Sequence, residues 1–155
     1  MTTLRIIGVD PGETTGITII QQTKPLSTSF DILYVDDIGW EERFALMELI
    51  SHYRPHPDQP DISGLVVCEQ FRLYPGAGAG QEHINSYFPS VRVIGYIECW
   101  LHHLMWTDAL ILQPASVRKG VEILPVHVDQ LKGYHHARDA YKHARYRLVA
   151  AMHQL

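Results

Sequence analysis

Leu4-Arg5-Ile6-Ile7-Gly8-Val9-Asp10-Pro11-Gly12 is the stretch on which the reading of this chain turns. Its apolar Leu4, Ile6, Ile7 and Val9 mark a buried strand over residues 4–10, and Asp-Pro-Gly ends that strand abruptly at Asp10. Residues 14–21 are largely β-branched and form a second strand, and Gly12 and Gly16 in and after the short gap suit a hairpin between the two. A third strand over 31–38 completes an antiparallel set.

Working outward, Phe44, Leu46, Met47, Leu49 and Ile50 give residues 40–53 an amphipathic helical pattern. Pro55, Pro57 and Pro60 forbid its continuation and read as a connection within one domain. Residues 64–69 are apolar up to the last, Glu69, as in a strand covered on both faces near the sheet centre. The glycines of Tyr74-Pro75-Gly76-Ala77-Gly78-Ala79-Gly80 predict a mobile loop. Ser90 is placed to cap a helix running to about residue 106, with Val91, Ile94, Ile97, Trp100 or Leu101, and Leu104 at helical spacing. A fifth strand over 110–112, a short helix over 116–121 and a long one over 136–153 follow. The order βββαβ(α)βα predicts an α/β fold: a five-stranded mixed sheet, three strands antiparallel and then two parallel, with helices on both faces.

Three carboxylates hold special places in this pattern. Asp10 ends the first strand, Glu69 ends the fourth, and Asp139 lies in the first turn of the last helix. If the first and fourth strands are neighbours, their ends converge. Clustered carboxylates repel unless a hard cation compensates them, which points to Mg²⁺ or Mn²⁺ held by oxygen ligands. Two such ions about 3.5 to 4 Å apart suit phosphodiester hydrolysis. His136, three residues before Asp139, shares its helix face and suits either ligation or proton transfer. Each residue also has a plain reading: Asp-Pro-Gly is a common turn, a strand-end Glu is usually solvated, and Asp at a helix start complements the dipole. Asp36, Asp37, Glu41, Glu42, Glu98 and Asp129 show no convergence and read as solvated faces.

The bulk composition permits this chemistry. The 155 residues are 46% apolar and 19% charged, as expected of one globular domain over 1–155. The net charge of −4 hides a gradient. Residues 1–112 hold 6 Lys/Arg against 14 Asp/Glu, and residues 113–155 hold 7 against 3. A local basic face is what phosphate binding requires, because field and counterion release act over about a Debye length. No basic leader with an apolar core and no apolar run of membrane-spanning length is present, which makes the cytoplasm the default compartment. Cys68 and Cys99 have no paired spacing for zinc or redox chemistry and read as reduced core residues.

Taken in order, Ile7-Gly8-Val9-Asp10-Pro11-Gly12 with Thr15-Gly16, Val67-Cys68-Glu69-Gln70, Pro114-Ala115-Ser116-Val117-Arg118-Lys119, and His136-Ala137-Arg138-Asp139-Ala140 resemble the RuvC family of Holliday junction resolvases. The motifs span nearly the whole chain. The resemblance implies an RNase H-like fold and a homodimer that binds a four-way junction and nicks it in pairs with two divalent ions per active site, Mg²⁺ or Mn²⁺. Carried over by position, Asp10, Glu69, His136 and Asp139 match the family's acidic tetrad, where relatives have Asp or His at the place of His136. Lys119 or Arg118 matches a basic position near the scissile phosphate. Phe71 and Tyr74 are candidates for the aromatic wedge at the junction centre, where stacking is worth roughly 1 to 3 kcal/mol. Arg72, Lys132, Arg138 and Lys142 join them as candidate DNA contacts.

The segment between Lys119 and His136 is shorter than in bacterial resolvases, with Lys132 only a rough substitute for a second basic residue. That, with the glycine-rich loop, is more like a compact phage-type relative with broad preference for branched DNA, in bacterial or phage-infected host cytoplasm. An RNase H-like nuclease acting on RNA:DNA hybrids or flaps stays open, as does a non-catalytic DNA-binding module, against which the four candidate ligands argue. Asp10-Pro11-Gly12-Glu13-Thr14 also fits the first phosphate loop of actin-like ATPases and sugar kinases. Those enzymes close a second duplicated domain over the nucleotide, for which this chain has no room, so no nucleotide cofactor is expected.

Overall fold

A computed structural model of the chain describes residues 1–70 and 88–153. Its elements are β1 (Thr3–Asp10), β2 (Thr14–Gln22), β3 (Phe30–Gly39), α1 (Arg43–Tyr53), β4 (Ile62–Glu69), α2 (Pro89–His103), β5 (Leu110–Gln113) and α3 (His135–His153). The five strands form one sheet in the order β3-β2-β1-β4-β5. β1 pairs antiparallel with β2 and β2 with β3, whereas β4 runs parallel to both β1 and β5. The mixed sheet expected from the sequence is the one observed.

The alternation of side chains along β1 sorts the molecule into layers. Ile7 and Val9 face α1 and α2, in a core with Ile17, Ile19, Val66 and Cys68. Ile6 faces the other way, toward Tyr141, Ala144 and Leu148 of α3, with Ile20 and Val67 beside it. Because side-chain direction repeats every second residue, Asp10 follows Ile6 and Gly8 onto the α3 face, Glu69 follows Val67, and Gln113 follows Ile111. Strand parity thus aims all three at one helix.

Two glycines let that helix come close. A Cβ at Gly16 would collide with the backbone of His136 and Ala137, and one at Gly8 with the carbonyl of Ala140. Ala137, Ala140 and Ala144 are the small residues that α3 turns toward the sheet, all fully buried. Thr18 Oγ1 donates to the Ala137 carbonyl at 2.7 Å, locking the contact. Asp139 reaches the strand ends because nothing larger than hydrogen separates helix from sheet at these two points.

Several local expectations need correction. Residues 40–42 form a 3₁₀ turn ahead of α1, and Phe44 lies 64% exposed outside the helix's buried face of Leu46, Met47 and Ile50. The segment Ala115–Gly120 is likewise a 3₁₀ turn. Ser90 does not cap α2: Phe88 holds that position, Pro89 opens the helix, and Ser90 Oγ instead donates to the Pro11 carbonyl at 2.7 Å. Cys68 is buried, which pushes its thiol pKa up, but Cys99 is exposed, two residues past buried Ile97 and off the packed stripe. The glycine-rich loop lies outside the described residues. Among the described residues no helix is long and apolar enough to cross a membrane.

Candidate active site

Asp10 sits where β1 gives way to a turn that Thr15 closes, its Oγ1 donating to the Gly12 carbonyl at 3.2 Å. The carboxylate is 8% exposed, and burial pushes its pKa above the ordinary value. His136 works against that rise by hydrogen bonding, whereas the charges of Glu69 and Asp139 add to it. His136 Nδ1 lies 3.1 Å from Asp10 Oδ2. A carboxylate only accepts, so Nδ1–H is the donor, and Nε2 is left as the nitrogen with the lone pair.

Glu69 and Asp139 are joined through Arg118. Its Nε stands 3.0 Å from Glu69 Oε2, and its Nη1 makes a short charge-assisted bond to Asp139 Oδ2. Burial works against the guanidinium, but the two carboxylates outweigh it and hold its pKa above the usual arginine value. Lys142, one turn along α3, reaches the other Asp139 oxygen at 3.2 Å. Beside this pair, Ala115, Ser116, Arg118, Lys119, Asp139 and Lys142 line an open groove of about 520 Å³. Lys119 is exposed there.

The structure therefore brings Asp10 and His136 into contact, and Glu69 and Asp139 onto a common arginine. It does not close them on a single point: among the described residues, no three His, Cys, Asp or Glu side chains are grouped as they would be around a bound ion. A guanidinium occupies the place between the carboxylates where a cation is needed. The donor set itself, three carboxylates and one imidazole, is the hard, oxygen-rich kind that Mg²⁺ or Mn²⁺ takes, and a resident positive charge shows that the cluster demands one. On both counts the residues fit such ions.

Of the remaining sequence candidates, Lys132 and Arg138 are exposed and make no ion pair among the described residues. Arg138 neighbours Asp139 on α3 but is turned off its face. Phe71, Arg72 and Tyr74 lie outside the described residues.

Two residues escaped the sequence reading. Asp37, taken as a solvated acid, pairs across β3 with Gly16 and faces the start of α3. Its carboxylate accepts the backbone N–H groups of His135 (2.9 Å), His136 (3.3 Å) and Ala137 (2.7 Å). It caps the helix from another strand, a non-local partner that no sequence spacing announces. His143 is fully buried, with Nε2 at 3.1 Å from Glu69 Oε2 and Nδ1 at 2.9 Å from Gln113 Oε1. Its signal was present, since His136, Asp139 and His143 follow an i, i+3, i+7 stripe.

No family model matches this chain, and no curated protein matches its sequence. Solved structures do match in shape. Thermus thermophilus RuvC in complex with a Holliday junction substrate superposes with a TM-score of 0.62 at 13% identity, over 99% of this chain and 97% of that one. A second Thermus thermophilus RuvC structure gives 0.58 at 14%, over 96% of each chain. The fowlpox virus resolvase, in complex with Holliday junction DNA, gives 0.57 at 12%, over 95% and 98%. The chain shares the RNase H-like fold of these proteins along nearly its whole length, as the motif resemblance implied.

Proposed function

We propose that this chain is a structure-selective endonuclease that resolves Holliday junctions and related branched DNA by metal-dependent phosphodiester hydrolysis, as one nuclease domain acting in a homodimer. The observation that carries the reading is that the ends of β1 and β4 and the start of α3 bring Asp10 against His136, and Glu69 and Asp139 onto Arg118, in a fold shared with solved junction resolvases. The match to proteins solved with junction DNA supports the substrate class.

Asp10, Glu69 and Asp139 would hold Mg²⁺ or Mn²⁺, two ions per site, with Nε2 of His136 completing the set. Such ions supply an activated water and compensate the charge developing on the leaving oxygen. The rest falls to the chain itself. Asp37 fixes the first turn of α3 and with it the position of His136 relative to Asp10. Lys119, Lys142 and Ser116 line the groove beside the carboxylates, where two ammonium groups suit a phosphodiester backbone. Arg118 is already paired to Glu69 and Asp139; once other cations compensate these, its guanidinium is free to take a phosphate oxygen. Lys132 and Arg138, both exposed, would contact DNA further out. The compartment is that of the DNA, the cytoplasm of a bacterial or phage-infected cell.

Cleavage of labelled four-way junctions, flaps, RNA:DNA hybrids and linear duplex, with Mg²⁺ or Mn²⁺, tests this directly. Wild type is expected to nick junctions in symmetric pairs, and Asp10→Asn to bind them without cutting. Undiminished cutting by Asp10→Asn removes the site, and preference for hybrids or flaps over junctions removes the substrate. Sedimentation with junction bound should give a dimer, because paired nicks on a two-fold junction call for two-fold symmetry. A strict monomer would end the resolvase reading and spare the nuclease one.

A further inference from the structure

We infer that His143 is a positioning residue for Glu69: through a bond chain anchored on β5 it sets the plane of the Glu69 carboxylate and so the direction of the oxygen offered to an ion. The inference rests on the reading of Glu69 as an ion ligand. His143 belongs to the stretch of α3 that packs on the sheet, where its neighbours in sequence and space are Ala140, Tyr141 and Ala144. Packing alone calls for an apolar residue at such a place, since an imidazole without any exposure is costly to bury unless its nitrogens are bonded. A carboxylate only accepts, so Nε2–H donates to Glu69 Oε2 at 3.1 Å and leaves the lone pair on Nδ1. Nδ1 lies 2.9 Å from Gln113 Oε1, and the Gln113 amide turned end for end presents its N–H to that lone pair.

The anchor is itself rigid. Gln113 is the last residue of β5, is buried, and lies directly opposite Glu69 in the β4–β5 register. Its carbonyl accepts Gln70 N–H at 2.6 Å, so backbone and side chain of one glutamine tie down both sides of the β4 terminus. Glu69, His143 and Gln113 thus close a ring through β4, α3 and β5.

The ring addresses a real freedom. The terminal torsion of Glu is broad and nearly two-fold, so a Glu at a strand end does not choose an orientation by itself. With Oε2 held by Nε2–H, the carboxylate plane is set and Oε1 is the oxygen left for a cation. Arg118 bonds the same Oε2, but its side chain is 31% exposed, whereas that of His143 is enclosed on every side. The arginine can leave when an ion arrives; the histidine cannot. Carboxylates that ligate metals owe their orientation to partners of this kind, and losing one typically lowers affinity about 10- to 100-fold.

Mn²⁺ binding to the DNA-free protein, followed by electron paramagnetic resonance of the free ion, tests the inference without using cleavage. Thermal melting of each variant is run alongside. His143→Leu, which keeps the buried volume apolar, should weaken Mn²⁺ binding about 10- to 100-fold. His143→Gln, whose amide nitrogen can reach Glu69 from the same direction, should recover most of it. Gln113→Leu, which removes the anchor and leaves the histidine, should lose affinity and serves if His143→Leu does not fold. Wild type that fails to bind Mn²⁺ overturns the reading of the site as a metal centre. Wild type that binds, with folded variants of equal affinity, overturns the role of His143 and leaves the metal centre standing.

Discussion

The two ends of this sheet treat buried charge in opposite ways. At the β1 start, Arg5 is buried and held by neutral acceptors: Nε and Nη2 donate to Gln21 Oε1 at 2.9 and 2.8 Å, and Nη1 to the Tyr53 carbonyl at 3.0 Å. Burial lowers its pKa, but each of its three nitrogens has an acceptor. At the β1 end, five residues further along the strand, Asp10 lies within the field of two other carboxylates, relieved by a histidine and a partly exposed arginine. One end is a finished structural bond. The other keeps a repulsion among carboxylates that burial strengthens, an arrangement of the kind that clusters at functional sites.

The comparison breaks most severely through the glycines that hold α3 against the acidic end. Gly16→Val should cost about 3 kcal/mol or more, read from the midpoint of chemical unfolding, because backbone rather than a movable side chain blocks the new atoms. Gly95→Ala on the open face of α2 should instead stabilise by about 0.5 to 1 kcal/mol, since its Cβ meets nothing. Equal effects at the two positions would mean that α3 does not approach the sheet as described.

Exchanging the two arginines for methionine sharpens the contrast next. Arg5→Met should lower stability by about 1 to 3 kcal/mol, leaving Gln21 and the Tyr53 carbonyl without a donor, and should not alter Mn²⁺ affinity measured by calorimetry. Arg118→Met should cost at most about 1 kcal/mol, because the pair is partly exposed, yet tighten Mn²⁺ binding by removing the resident cation. Weaker Mn²⁺ binding in Arg118→Met would show that the arginine supports the ligands rather than stands in for an ion.

The smallest expected effect is on pH dependence. Burial holds the Asp10 pKa above 3.8, so the ion-free folded chain binds that proton more tightly than the unfolded chain does. Stability contributed by the protonated carboxyl is present below the unfolded value and lost as pH rises through the raised one. Asp10→Asn should flatten that part of the stability curve and melt at a higher temperature than ion-free wild type at neutral pH. An unchanged slope in the variant would move the effect to another carboxylate.

What could be read from residues alone follows from local physics. The apolar period of residues 4–10, the break at Asp-Pro-Gly and the apolar run ending in Glu69 predicted the strands and put acids at their ends. The i, i+3 spacing placed His136 and Asp139 on one face of α3. Asp37 was misread because its partners are three backbone N–H groups about a hundred residues away, and a cap supplied across a sheet has no period. The use of Ser90 by Pro11, and of Arg118 by Glu69 and Asp139, was hidden for the same reason. Sequence by itself determined which elements exist and which of them end in a carboxylate, because strand and helix periods are properties of neighbours in the chain. Only the tertiary structure decided that parity turns those carboxylates toward α3, that Gly8 and Gly16 admit the helix, and that an arginine holds the charge between them, because those outcomes depend on how separate elements meet.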